Sequence, residues 1–119
     1  MDGGAADMLT VDAAQFKRFE QEQARQFYRA LGEDLLSYCA DHIPEIAEPE
    51  RVPRIKHIFR LCQHYRIESE RDITRLSYML LAFPSDFYQH PEYSWVHDIL
   101  SAPEAPTTRV DRLSAILRN

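Results

Sequence analysis

The chain has 119 residues, a length that fits one domain, and 45% of these residues are hydrophobic, which is enough to build a core. The content of charged residues, 28%, argues against an intrinsically disordered chain. Three glycines but seven prolines occur, and the prolines fall between apolar runs, as is typical of helices joined by stiff connections.

The net charge of −5 is distributed unevenly. Residues 1–50 hold four basic and eleven acidic side chains, whereas residues 51–119 hold ten basic and eight acidic ones. The acidic half is interpreted first as a solvated helix surface, and alternatively as a surface that meets a basic partner. Nucleic acid is not an expected partner, because phosphate binding needs a concentrated basic surface.

The N-terminal sequence MDGGAADMLT lacks a basic segment followed by an apolar one, so it does not predict export by a signal peptide. No apolar run approaches the roughly 20 residues of a membrane span. We therefore expect a cytoplasmic protein without a membrane partner. Residues 1–10 are predicted to be a disordered tail, and residues 11–119 a single helical domain.

A long first helix is predicted to start at Val11-Asp12, with Asp12 as its cap and Gln15 in the reciprocal position. Apolar residues recur at helical spacing and predict one buried face, made of Phe16, Phe19, Phe27, Leu31, Leu35, Tyr38 and Ile43.

Two further helices follow an acidic, proline-rich connection. The second is predicted to start near Pro53, a residue tolerated in a first turn, and to bury Ile55, Ile58, Phe59 and Cys62. The third is predicted to begin at Ser69, whose hydroxyl can cap it, with Asp72 in the reciprocal position. Its expected buried face comprises Ile73, Leu76, Ser77, Leu80 and Leu81.

Proline punctuates the remaining chain. Pro84 is expected to end the third helix, residues 85–90 to form a turn or a short helical segment, and Pro91 to open a fourth helix. A last helix is predicted to be capped by Thr108 and to be built on Val110, Leu113, Ile116 and Leu117. Because no strand-like alternation appears, the predicted fold is all-α: a compact bundle of about five helices with a long N-terminal helix.

The two cysteines and the histidines near them are the candidate reactive groups. Cys39 with His42, and Cys62 with His64, together supply four ligands that zinc accepts, but their spacing fits no metal motif. Both cysteines fall on apolar helix faces, where a thiol behaves as a small hydrophobe. We expect no metal, no cofactor and no catalytic residue, and the sequence leaves open whether the two cysteines pair.

Candidate partner-binding residues come from two features. His57, Arg60 and His64 are predicted on one side of the second helix, where they are either a solvated face or a docking surface sensitive to pH. Five aromatic residues crowd around the prolines, and those outside the core are typical interface anchors. The predicted set is Tyr88, Tyr93, Trp95, His57 and Arg60.

The run YRIESERDI at residues 65–73, followed by Leu80-Leu81, Phe87, Pro91, Trp95 and Leu100, resembles small helical proteins encoded beside type VI secretion effectors. The likeness extends over roughly residues 15–117, and its middle third is the distinctive part. The resemblance implies a partner-dependent accessory protein, either a chaperone or adaptor for a secreted toxin or its immunity protein. It carries over no catalytic residue.

The leading functional hypothesis is a non-enzymatic module that binds a cognate effector before secretion. The alternative is an immunity protein that neutralises the toxin, and the third hypothesis is an enzyme with an unrecognised site. The sequence leaves open the partner's identity and the oligomeric state.

Overall fold

The computed structural model describes residues 2–118, with their side chains from residue 21 onward, and it confirms the all-α prediction. The five helices are α1 (Asp2–His42), α2 (Glu48–His64), α3 (Glu70–Leu80), α4 (Ser94–Leu100) and α5 (Pro106–Arg118). Two 3-10 turns, Phe87–Gln89 and Pro91–Tyr93, lie between α3 and α4. The described residues contain no strand.

The chain divides into two units, Met1–Asp34 and Leu35–Asn119. The first unit is the larger part of α1, where most described side chains are exposed and the Phe27 and Tyr28 rings meet edge to face at 5.4 Å. The second unit contains the end of α1 and all of α2 to α5. The predicted division into a 1–10 tail and an 11–119 domain stays a prediction.

Helix α1 begins earlier than the sequence pattern indicates. It starts at Asp2 rather than at Val11, so the prediction that Asp12 caps the helix is wrong. The physical reason is that no proline precedes Pro44, and nothing in the first residues forces the helix to stop. The side chains of Phe16 and Phe19 lie outside the described residues.

Helix α2 also begins ahead of its predicted start. Its first residue is Glu48, with Ala47 as the N-cap, so the start predicted near Pro53 is wrong. Pro49 occupies the first turn, where a missing N–H costs nothing, and acidic Glu48 and Glu50 complement the positive end of the helix dipole. Pro53 therefore lies inside the helix, and it cannot donate a hydrogen bond to the carbonyl of Pro49.

The core of the second unit is built by α2 packing on α3, α3 on α5, and α5 on α4. The spacing of the apolar residues predicted most of it correctly. The buried apolar residues of its helices, together with Ser77, are Leu35, Cys39, Ile55, Ile58, Cys62, Ile73, Leu76, Leu80, Val96, Leu100, Val110 and Leu113.

Two residues predicted in the core of the last helix are exposed: Ile116 by 47% and Leu117 by 40%. Helix α4 has only seven residues against thirteen in α5, so it covers the first turns of α5 and not the last. Helix α5 starts at Pro106, which makes the cap predicted at Thr108 wrong. Proline at a first helical position needs no hydrogen-bond partner for its nitrogen.

The N-terminus of α3 is tied to α5. Ser69 Oγ accepts a hydrogen bond from the Asp72 backbone N–H at 3.1 Å, which confirms the predicted cap. The buried Asp72 carboxylate accepts a 2.6 Å hydrogen bond from Thr107 Oγ1 of α5. Burial alone would raise the pKa of Asp72, but the hydrogen bonds from Thr107 and Ser69 and the charges of Arg75 and Arg71 outweigh it, so the pKa is lowered.

A buried arginine in the first turn of α5 joins three chain segments. Arg109 of α5, only 8% exposed, donates from Nη1 to the carbonyls of Tyr65, at 2.9 Å, and Leu100. Its Nε donates to the carbonyl of Glu104 at 3.0 Å. Tyr65 and Leu100 lie at the C-terminal ends of α2 and α4, where unpaired carbonyls concentrate negative charge. The guanidinium thus satisfies both helix ends at once.

The chain leaves α2 through a left-handed residue. Arg66 has φ = 58°, a conformation that favours glycine. Around it, the Ile67 N–H donates to the Cys62 carbonyl at 2.9 Å and the Arg66 N–H to the Gln63 carbonyl at 3.0 Å. This pair of bonds is a Schellman motif, which normally carries glycine at the position of Arg66.

Replacing Arg109 with methionine should lower the free energy of unfolding by about 3 kcal/mol or more, because three carbonyls lose a charged donor. Arg112 provides the matched control, since its guanidinium is exposed and its one ion pair within the described residues is with Glu104, at 2.5 Å. Arg112→Met should cost less than about 1 kcal/mol. Urea denaturation followed by circular dichroism measures both, and equal losses would contradict the role assigned to Arg109.

Arg66→Gly should make the protein more stable than Arg66→Ala by about 1 kcal/mol, because only glycine adopts positive φ without a steric penalty. Comparing these two variants removes the contribution of the arginine side chain. Thermal unfolding of the two variants measures the difference, and a more stable alanine variant would rule out a strained turn.

Candidate functional site

The described part of the chain contains a cleft of about 440 Å³ between the first turns of α2 and the turn that follows α3. Helix α2 supplies most of its wall, and the turn supplies two hydroxyl groups. The lining residues are Pro49, Glu50, Pro53, Arg54, His57, Arg60, Ser85 and Tyr88.

The turn is held against α2 by Arg54. Its guanidinium Nη2 donates to the carbonyls of Leu81, at 2.9 Å, and Phe83. These carbonyls follow the last residue of α3, so Arg54 caps that helix as well as lining the cleft. Phe83 and Phe87 are buried beneath the turn, and the Phe87 N–H donates to the Pro84 carbonyl at 3.0 Å. The position of the cleft wall therefore depends on the end of α3.

An aromatic cluster extends behind the turn. Phe83 is its centre, with ring centroids 5.4 Å from Phe87, 5.6 Å from Tyr93 and 6.1 Å from Trp95. The Tyr93 and Trp95 contacts are edge to face, an arrangement that aromatic rings favour. Both side chains are half-buried, so most of their apolar surface serves the core of the turn.

Tyr88 faces the cleft from the turn. It is 53% exposed, and its ring centroid lies 5.1 Å from that of His57. His57 was predicted on an open side of α2, but it is half-buried, and its Nε2 atom is buried without a hydrogen-bond partner among the described residues. Burial, and then the nearby charge of Arg60, lower the pKa of His57 below its ordinary value.

Charge in the cleft is predominantly positive. Arg54 and Arg60 face a single lining carboxylate, Glu50. Arg60 is exposed, and no ion pair within the described range includes it. An exposed guanidinium without a carboxylate keeps all five of its N–H donors available to a ligand.

Three of the five residues proposed from the sequence therefore line one cleft: His57, Arg60 and Tyr88. Tyr93 and Trp95 belong to the aromatic cluster around Phe83 and do not line the cleft. Arg54 was missed, because nothing in its local sequence indicates hydrogen bonds to carbonyls 27 and 29 residues away. None of these placements tests whether a partner binds there.

A second cleft, of about 360 Å³, lies beside Arg109 between the end of α2 and the 101–104 connection. Its main polar groups already have partners: Arg109 is bonded to three carbonyls, and the Tyr65 hydroxyl lies 2.8 Å from His97 Nδ1. It offers a ligand little beyond exposed surface.

The cysteines lie in the core and are both free thiols. Burial raises the pKa of Cys39, although the charges of Arg51 and Arg54 oppose this, and it raises the pKa of Cys62 to about 11. A thiol that stays protonated is a poor nucleophile and a poor metal ligand. Among the described residues, no three His, Cys, Asp or Glu side chains converge as a metal site would require.

No protein family, no curated protein and no solved structure matches the chain. Within the described residues, no helix combines the length and apolar character needed to cross a bilayer.

Both thiols should react with Ellman's reagent only as fast as the protein unfolds, because each side chain is fully buried and protonated. The experiment compares the rate of thiol reaction in the folded protein with the rate in about 6 M guanidinium chloride, a concentration that unfolds most domains. Fast labelling of one thiol under native conditions would contradict this assignment.

Proposed function

We propose that the protein is a non-catalytic binding module that holds a cognate type VI secretion effector as a chaperone or adaptor, with the cleft between α2 and the 84–88 turn as the docking site. The carrying observation is the cleft itself. It places the exposed ring of Tyr88 in one cleft with the guanidinium of Arg60, which has no ion pair within the described range, and tyrosine and arginine are the residue types that anchor protein interfaces. The partner class comes from the resemblance noted in residues 65–100.

A non-catalytic role is supported by the state of the ionisable groups. General base catalysis needs a histidine hydrogen-bonded to the group it activates or to a residue that orients it. His57 Nε2 has no such partner among the described side chains. The cleft is lined by a single carboxylate, Glu50, and Arg54 is occupied by the carbonyls of Leu81 and Phe83.

An immunity protein is the second candidate. It is favoured by the excess of acidic residues in the first 50 positions, where eleven acidic side chains face four basic ones. An acidic surface accelerates encounter with a basic protein, such as a toxin that cuts nucleic acid. Cell survival separates the two roles: an immunity protein protects cells that express the toxin, whereas loss of an adaptor abolishes secretion without loss of protection.

Co-expression with the products of neighbouring genes, followed by pull-down and calorimetry, should give a stable complex with one of them. Arg60→Glu should weaken that complex at least about tenfold, because charge reversal places a carboxylate at the centre of the docking site. Lys56→Glu is the matched control, since it makes the same change on the same helix but outside the cleft.

Lys56→Glu should leave the affinity within about twofold of the unsubstituted protein, as expected of a charge outside an interface. Equal effects of the two reversals would exclude the cleft as the docking site. The absence of any complex with a neighbouring gene product would refute the adaptor proposal itself.

A further inference from the structure

The least explained atom in the described structure is His57 Nε2. It is the only buried side-chain nitrogen or oxygen among the described residues that lacks a hydrogen-bond partner. Leaving a buried polar atom unpaired destabilises a protein, so such an atom calls for an explanation. The ring that lies against His57 belongs to Tyr88, which is 53% exposed and sits on the short turn rather than in a helix core.

Positive charge surrounds this nitrogen. From its own helix, His57 shares the cleft with Glu50, Arg54 and Arg60, and from the turn it meets the hydroxyls of Ser85 and Tyr88. Arg54 is already occupied by two carbonyls, whereas Arg60 is not engaged in an ion pair within the described range. The group that complements this set is an anion that accepts hydrogen bonds, and a carboxylate of a protein partner meets that requirement.

We infer that the cleft takes an acidic side chain of the partner, whose carboxylate pairs with Arg60 and accepts a hydrogen bond from His57 Nε2–H, with uptake of one proton by His57. This inference rests on the proposed function and specifies the chemistry of the docking site. The proton comes from solvent and forms one N–H bond on the imidazole, and no other covalent bond forms or breaks. For the carboxylate to enter, the ring of Tyr88 must turn away from His57.

The direction of the pH dependence follows from the two states of His57. In the free protein, burial and Arg60 favour the neutral ring, whereas a bound carboxylate favours the charged one. Binding therefore takes up a proton at any pH between the free and the bound pKa. Affinity is highest below that window and falls as pH rises through it, by up to about tenfold per pH unit.

The test uses the full chain with isotope-labelled histidine and end-blocked hexaglutamate as the probe, with hexaglutamine as its uncharged counterpart. NMR titration should show hexaglutamate binding and a rise in the pKa of His57, while hexaglutamine leaves that pKa unchanged. Raising pH from about 5.5 to about 7.5, the range in which histidine titrates, should weaken hexaglutamate binding at least about tenfold.

Three variants assign the effect to residues. His57→Gln keeps a neutral hydrogen-bonding side chain and should abolish the pH dependence that His57 contributes. Arg60→Gln should weaken binding about tenfold, because a charge-assisted hydrogen bond is lost, while Lys56→Gln on the same helix should not. Circular dichroism of each variant verifies that the fold is retained.

Several outcomes would overturn the inference. These are the absence of hexaglutamate binding at about pH 5.5, the same pH dependence in His57→Gln as in the unsubstituted chain, and equal losses from Arg60→Gln and Lys56→Gln. Separate titrations with inorganic phosphate and with a single-stranded DNA oligonucleotide distinguish other anions. If either binds through His57 and Arg60 as tightly as hexaglutamate, the site is not built for an acidic protein segment.

The proposed function has an independent readout. If the effector complex forms and Arg60→Glu weakens it, but the pKa of His57 is the same in the free protein and in the complex, the inference fails while the docking function stands. If no effector complex forms and hexaglutamate still raises the pKa of His57, the site chemistry stands and the adaptor role fails.

Discussion

The hydrogen bonds of the Arg109 guanidinium are the interaction on which the second half of the molecule most depends. The carbonyls at the C-terminal ends of α2 and α4 accept hydrogen bonds from Arg109, and so does the carbonyl of Glu104 in the connection that leads into α5. A buried cation normally destabilises a fold unless it is fully paired. Here the partners are backbone carbonyls at the negative ends of two helix dipoles. One side chain therefore fixes how three helices meet, in addition to the local hydrogen bonds that end α2 and α4.

A second arginine, also bonded to backbone carbonyls, links the fold to the candidate site. Arg54 reaches from α2 to the carbonyls that follow α3, so the helix end, the turn and the cleft wall share one guanidinium. The turn is also pinned from behind by Phe83 and Phe87, which are buried. Tyr88 is the member of that aromatic run left mostly in solvent. The cleft is thus a by-product of how α3 is terminated, with Phe83 and Phe87 behind the turn and Tyr88 exposed on it.

Local signals made much of this architecture predictable. Ser69 caps α3 because its hydroxyl lies beside the amides it serves, and apolar spacing reveals a helix face wherever a neighbour covers it. Apolar spacing predicted wrongly that Ile116 is buried. Burial depends on whether a distant chain segment covers the position, and Ile116 is 47% exposed. The start of α2 was predicted near Pro53, but Pro53 lies inside the helix. Of the site, residue type suggested His57 and Tyr88, but the role of Arg54 depends on chain segments that only folding brings together.

The chemistry of the Arg109 junction has a consequence for how the protein responds to its surroundings. The acceptors at that junction are backbone carbonyls, which carry no titratable proton, so their side of it does not change with acidity. His57 lies on α2 and lines the other cleft. The proton uptake inferred for His57 therefore involves none of the hydrogen bonds by which Arg109 joins α2, α4 and α5. On that inference, acidity would alter the capture of a partner without altering the bonds at the Arg109 junction.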